Sequence, residues 1–167
     1  MIMTSYYEIT IQRYARYGLI IDTNLYVLLL VGRTDIEKVG FEKRTRAYVI
    51  DDYILLENTI SQFDQRYTTP NIITETSNLL GAGKRTTVQG INSTFASDIT
   101  MLQEEYSSSI GCASAPGFYD FGVTDVAISL VAARNQILVL TDDLPLYSFL
   151  ANVKLPVLNF NHLRDPG

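Results

Sequence analysis

The chain contains very little cysteine and histidine, and this scarcity excludes several kinds of site. Cys112 is the single cysteine among 167 residues, and His162 is the single histidine. One cysteine cannot form an intrachain disulfide or a thiolate metal cluster, and Cys112 has no neighbouring histidine to activate its thiol. One histidine also excludes a His-rich zinc site. A metal site in this chain would therefore use oxygen ligands, which favour Mg²⁺ or Mn²⁺.

Long apolar runs are also absent. The longest, residues 25–31, is far too short to span a bilayer. The N-terminal residues lack the basic-then-apolar order of a signal peptide. The apolar fraction of 47% and the charged fraction of 19% are those of an ordinary globular protein. We therefore expect a soluble, cytoplasmic protein with no membrane partner, folded as a single domain over residues 1–167.

The net charge of the chain limits which classes of nucleic-acid-binding protein are consistent with the sequence. A formal net charge of −5 argues against a general nucleic-acid binder with a broad basic face. It does not exclude a nuclease, because the acids of a catalytic site account for much of the excess. Two basic clusters are candidates for substrate contact or, alternatively, for solvated surface loops. They consist of Lys43, Arg44 and Arg46, and of Lys84 and Arg85.

Short apolar runs alternate with helical patterns along the chain, which predicts an α/β fold with a doubly wound parallel sheet flanked by helices. We predict strands at 18–22, 71–74, 137–141 and 155–160. Helices are predicted at 6–16, 23–32, 47–64, from Thr74 onward, within 91–109, at 123–135 and at 144–153. The charged section 33–46 and the Gly/Pro/Ser-rich section 109–122 are predicted as loops.

Acidic residues stand where these runs stop: Asp22, Glu75, Asp125 and the pair Asp142 and Asp143. In open α/β sheets, ligands bind outside the carboxyl ends of the strands. Buried carboxylates are rare unless they are paired or bound to a metal. We therefore predict that four of them, with Asp143 from the pair, lie within roughly 4–8 Å of a common Mg²⁺ or Mn²⁺ centre. Helix capping is the alternative, and it would leave them dispersed.

Short polar residues flank these acids and are predicted to orient carboxylates or metal-bound water: Thr23, Asn24, Thr141 and Asp142. An aspartate after the first strand and a late Asp-Asp pair also resemble the haloacid-dehalogenase phosphatases. That mechanism needs a general acid two residues after the nucleophile, where this chain has Asn24. Asparagine cannot donate and recover a proton. A phosphatase is therefore the minor alternative.

Four segments in order along the chain resemble the PIN-domain nucleases. They are IIDTN (20–24), NIITETSNLL (71–80), FGVTDVAISLVA (121–132) and LVLTDD (138–143). The resemblance covers nearly the whole chain beyond residue 18, including a closing strand near 156–163. The chain departs from the commonest small PIN proteins in an N-terminal extension, 1–17, and in an extended helical insertion region, 32–69.

The resemblance implies a Mg²⁺- or Mn²⁺-dependent endoribonuclease with RNA as substrate. It assigns Asp22, Glu75, Asp125 and Asp143 as catalytic metal-binding acids, with Asp142 in support. Many members are toxins of toxin–antitoxin pairs and are often dimeric, so an antitoxin and a second copy are candidate partners. The alternative is a catalytically silent PIN-fold module that binds a protein partner. Tyrosines are over-represented at protein interfaces, and the N-terminal segment of this chain contains four of them: Tyr6, Tyr7, Tyr14 and Tyr17.

Overall fold

The computed structural model describes residues 2–81 and 88–164, which form an α/β fold around a five-stranded, all-parallel sheet. This confirms the predicted fold class. The strands are β1 (Leu19–Ile21), β2 (Arg66–Thr68), β3 (Gln103–Glu104), β4 (Leu138–Thr141) and β5 (Val157–Asn159). Their order across the sheet is β3-β2-β1-β4-β5.

Helices connect and flank these strands. They are α1 (Ile2–Tyr14), α2 (Thr23–Thr34), α3 (Ile50–Ile60), α4 (Pro70–Leu79), α5 (Ile91–Ile99), α6 (Ser109–Ser114), α7 (Phe118–Asn135), α8 (Leu144–Asn152) and α9 (Phe160–Arg164). Two short 3-10 turns, Ile36–Lys38 and Lys43–Thr45, lie between α2 and α3.

The strand order reverses between β1 and β4. From β1 the chain adds β2 and β3 on one side, then returns to place β4 and β5 on the other. The registers pair Leu19 with Leu138 and Ile21 with Leu140, so the two central strands end side by side. Reversal of this kind opens a crevice at the carboxyl ends of the central strands. The acids at 22 and 142–143 follow these two strands and therefore meet there.

The core explains why the longest apolar run is a helix. Residues 25–31 lie in α2 and are buried all round, because α3, α4, α5 and the two 3-10 turns pack against that helix. Its start is fixed by the Asp22 side chain, which accepts a hydrogen bond from the Leu25 amide. In α1, Tyr7 and Ile11 are buried in the same core. The predicted N-terminal extension is thus an integral part of the packing.

The predicted strand at 71–74 is wrong. These residues belong to α4, which begins at Pro70 with Thr69 as its N-cap. The strand is β2, which begins five residues earlier, where half-buried Arg66 and Tyr67 do not form an apolar run. A short apolar run has no periodicity that separates strand from helix. Pro70 favours the helix here, because proline is well suited to the first helical position. Thr74 is therefore mid-helix and not a cap.

Other boundaries also shift. The helix predicted within 91–109 ends at Ile99, and β3 follows it. The predicted loop at 109–122 contains α6 and the first turns of α7. The region 32–69 contains α3 as predicted, but its last residues form β2, so this part belongs to the sheet. Among the described helices, none combines the length and the hydropathy that a bilayer crossing requires.

Candidate functional site

Asp22 is the buried centre of the crevice between β1 and β4. Its Oδ1 accepts a hydrogen bond from the Leu25 amide at 2.9 Å. Its Oδ2 accepts one from the Thr141 hydroxyl and one from the Asp142 amide, the latter at 3.0 Å. Thr141 was predicted to orient a carboxylate, and its hydroxyl donates to the carboxylate of Asp22.

The electrostatic setting of Asp22 is unfavourable for a negative charge. Burial raises the pKa of Asp22 well above its usual range, and the neighbouring charge of Asp142 raises it further. The hydrogen bonds from Thr141, Leu25 and Asp142 act in the opposite direction. A carboxylate held this way gains from any positive charge that enters the crevice.

Asp142 is bound on its other side by residues far away in sequence. The Tyr48 hydroxyl donates a hydrogen bond to Asp142 Oδ2, and the Asn24 amide group lies 3.4 Å from Oδ1. Tyr48 is itself buried. Burial and then the Asp142 charge raise the pKa of Tyr48, so its hydroxyl stays protonated and remains a donor.

A cation from the last helix holds this tyrosine in place. The Arg164 guanidinium lies 5.2 Å from the centre of the Tyr48 ring and pairs with Asp52 through two hydrogen bonds, of 2.8 and 2.9 Å. Asn161 donates from its side chain to the Asp142 carbonyl at 2.7 Å. The segment before α3 and the start of α9 are thus both fastened to the Asp142 turn.

Asp143 differs in role from its neighbour. Its Oδ1 caps α8 by accepting a hydrogen bond from the Leu146 amide at 2.8 Å, and its side chain is exposed. Its charge acts on Asp125, whereas the charge of Asp142 acts on Asp22. The two adjacent carboxylates therefore serve different parts of the site, and Asp142, not Asp143, is the one beside the buried Asp22.

Glu75 lies in the middle of α4 and not at a strand–helix junction, because α4 begins five residues earlier, at Pro70. Helix capping therefore does not account for it. Its Oε2 accepts a hydrogen bond from the Thr23 hydroxyl at 3.0 Å. Thr23 follows Asp22 directly, so this bond fastens Glu75 to the start of α2.

Asp125 is the acid whose negative charge receives the least stabilisation from its neighbours. Gly122 has φ 78° and ψ −174°, which interrupts α7, and Asp125 lies in the first turn of the helical segment that resumes. Burial raises the pKa of Asp125 to about 6, with further contributions from the charges of Asp143 and Glu75. Within residues 2–81 and 88–164, nothing donates a hydrogen bond to its carboxylate. Repulsion between the acids thus adds to the effect of burial on the pKa of Asp125.

The acids therefore form two sets, which we call the inner pair (Asp22 and Asp142) and the outer set (Glu75, Asp125 and Asp143). In the described part of the chain, no three His, Cys, Asp or Glu side chains are grouped so that they could hold a metal ion. The predicted single four-carboxylate centre is thus not seen in this arrangement. The physical reason is that capping and side-chain hydrogen bonds already direct Asp22 and Asp143. The donor chemistry, carboxylate oxygens with an unsatisfied Asp125 among them, still suits a hard divalent cation.

The first basic cluster is exposed. Lys43 and Arg44 lie in the second 3-10 turn, and Arg46 follows it. No ion pair joins any of the three to another described residue. Lys84 and Arg85, the second predicted cluster, lie outside the described residues.

Sequence reasoning missed Tyr48, Asn161 and Arg164. Tyr48 lies in a section with no strand signal and no motif, and its partner is 94 positions away. Only the proximity of Asn161 to the predicted closing strand hinted at a place near the site. Comparisons of the chain with known protein families, with curated proteins and with solved structures found no match.

Proposed function

We propose that this chain is a Mg²⁺- or Mn²⁺-dependent endoribonuclease that hydrolyses RNA phosphodiester bonds in the cytoplasm. The observation that carries the proposal is Asp125. Its half-buried carboxylate has no hydrogen-bond donor among the described residues, and the charges of Asp143 and Glu75 act on it. Such a charge is costly unless a cation offsets it.

The position of the acids adds support. The inner pair follows the two central strands at the reversal of strand order, which is where open α/β sheets bind ligands. The order of acids along the chain resembles that of PIN-domain nucleases. Under this proposal the chain is a diverged member of that family, and an antitoxin or a second copy is its candidate partner.

The residues have separable roles in the proposed reaction. Asp125, Asp143 and Glu75 would hold the cation by their carboxylate oxygens, which the charges acting on Asp125 place near one another. Asp22 accepts hydrogen bonds from Thr141, Leu25 and the Asp142 amide. It would therefore hold the Asp142 turn in place and add negative charge next to the cation site. A bound divalent cation polarises a phosphodiester oxygen and lowers the pKa of coordinated water. A carboxylate oxygen of the outer set that does not contact the cation would accept the proton from the attacking water.

The test is cleavage of a labelled single-stranded RNA by Asp22→Asn and Asp125→Asn, with Asp120→Asn as the matched control. Asn caps helices as well as Asp does, so Asp22→Asn should retain the start of α2. Asp120 is exposed in the first turn of α7 and outside the acid sets. We expect the two site variants to lose cleavage and the control to keep it. Wild-type rates in Asp22→Asn or Asp125→Asn would refute the proposal.

A second candidate function is a catalytically silent module that binds a protein partner. It is favoured by the absence, within the described ranges, of a ready-made group of three metal ligands. Calorimetric titration with Mn²⁺ separates the two functions. A nuclease should show saturable binding that Asp125→Asn weakens, and a silent module should show none.

A further inference from the structure

An open cleft lies beside the acid site, on the segment between α2 and α3. Its volume is about 510 Å³, and we call it the Phe41 cleft. It is lined by Val39, Gly40, Phe41, Arg46, Tyr48, Val49, Ile50 and Asp51. Tyr48 belongs to both places, because it is one of the lining residues and its hydroxyl donates to Asp142. Whatever fills the cleft therefore lies next to the inner pair.

The cleft presents a flat apolar surface to solvent. Phe41 is 78% exposed and Val49 is 60% exposed, although neither residue gains stability from that position. The Phe41 amide is bonded to the Lys38 carbonyl at 3.1 Å, which fixes its backbone. At Gly40, φ is +84° and an added Cβ would lie 3.0 Å from the Tyr48 carbonyl oxygen. The exposed ring is thus held on a tight, specific turn.

Three cationic residues follow Phe41 closely in the sequence. Arg46 lines the cleft, and Lys43 and Arg44 occupy the turn between it and Phe41. These three cations have no ion-pair partner among the described residues, in a chain whose net charge is −5. Asp51, on the rim, is the one acid among the lining residues. An exposed aromatic ring beside unpaired cations matches a polyanion that carries flat rings.

We propose that the Phe41 cleft binds one unstacked base of single-stranded RNA, with the adjoining phosphates on Lys43, Arg44 and Arg46. The proposal rests on the proposed nuclease function for its substrate. Base–aromatic stacking tolerates any base. The cleft would therefore add affinity for RNA and fix the position of the strand without preferring a sequence. The Tyr48 contact would then place the next phosphodiester beside the acids.

The test measures binding without cleavage. An RNA oligonucleotide containing one 2-aminopurine is titrated with protein in EDTA, and again in Ca²⁺, and both anisotropy and 2-aminopurine fluorescence are followed. Phe41→Ala is compared with Phe41→Tyr and with Tyr119→Ala. Tyr119 is 96% exposed on α7, away from the cleft, and controls for loss of a surface ring.

We expect Phe41→Ala to weaken binding about tenfold or more and to abolish the fluorescence change on stacking. Phe41→Tyr and Tyr119→Ala should bind like the wild type. Arg46→Gln should lower affinity and reduce the dependence of binding on salt. Equal affinity of Phe41→Ala and wild type overturns the proposal, as does failure of the wild type to bind RNA in both buffers. Loss of cleavage does not enter these readouts, so failure of the nuclease function remains distinguishable.

Discussion

The Tyr48 hydroxyl donates a hydrogen bond to Asp142 Oδ2 across 94 positions of sequence, and the Tyr48 ring lies against the Arg164 guanidinium. A buried tyrosine thus links the C-terminal helix to the turn that carries two of the acids. Three parts of the chain without any shared local pattern determine where Asp142 lies. Phenylalanine would keep the ring contacts and remove only the hydroxyl.

Tyr48→Phe should lower the free energy of unfolding by about 1–2 kcal/mol, because a hydrogen bond to a charged group is lost while the packing remains. Urea denaturation with an unchanged m-value would measure this loss. Tyr119→Phe, on an exposed ring, should change stability by only a few tenths of a kcal/mol. If both variants are equally stable, the hydroxyl does not hold Asp142.

Asp125→Asn should stabilise the protein at neutral pH. The folded-state pKa of about 6 lies above the ordinary value of 3.8, so the folded state binds more protons than the unfolded state between these pH values. Stability therefore falls as pH rises from about 4 to about 6, and the penalty persists above that range. Allowing for solvent screening, we expect a gain of about 1–2 kcal/mol at pH 7.5 and none at pH 4. Thermal unfolding of both proteins across this range would show a difference that is constant with pH if the assignment is wrong.

The same residue predicts the effect of metal. If a cation offsets the charge on Asp125, adding Mg²⁺ should raise the melting temperature of the wild type and change that of Asp125→Asn much less. Asp120→Asn should respond like the wild type, since its carboxylate stands outside the acid sets. Equal responses of all three proteins would mean that any bound Mg²⁺ is elsewhere.

Substitutions at Asp143 separate capping from charge. Asp143→Asn keeps an acceptor for the Leu146 amide, whereas Asp143→Ala removes it and should cost about 1 kcal/mol. Both substitutions remove a negative charge near Asp125, so both should lower the pKa of Asp125 below about 6. Carboxyl ¹³C NMR titration measures that pKa directly. An unchanged Asp125 titration in both variants would contradict the coupling between the two acids.

The largest loss of stability should come from Asp98, outside the acid sets. Asp98 is buried and accepts hydrogen bonds from both Arg33 and Arg66. Asp98→Asn leaves the partly buried Arg66 guanidinium without its acid partner, while Arg33 keeps its pair with Glu57, and should cost about 3–5 kcal/mol. Glu105→Gln breaks the more exposed pair with Arg134 and should cost less than about 1 kcal/mol. Comparable denaturant midpoints for the two variants would refute this ranking.

Much of the fold was predictable, because hydrophobic periodicity is local. The strands at 19–21 and 138–141 and the helices around 50–60 and 123–135 match their sequence patterns closely. The strand at 66–68 was not predictable, because it contains no apolar run. Its half-buried Arg66 is instead paired with Asp98, which is distant in sequence. The helix starting at Pro70 then displaced the strand expected at 71–74.

For the candidate site, the composition of the chain limited the donors to carboxylate oxygens, because there is almost no histidine or cysteine. The sequence by itself also determined that Asp22 and Asp143 begin helices, since capping depends only on neighbouring residues. The division of the acids into an inner pair and an outer set follows from tertiary packing. Tertiary packing also brought Tyr48 and Arg164 to Asp142, because contacts between distant segments follow from strand order and helix packing, which no local pattern records.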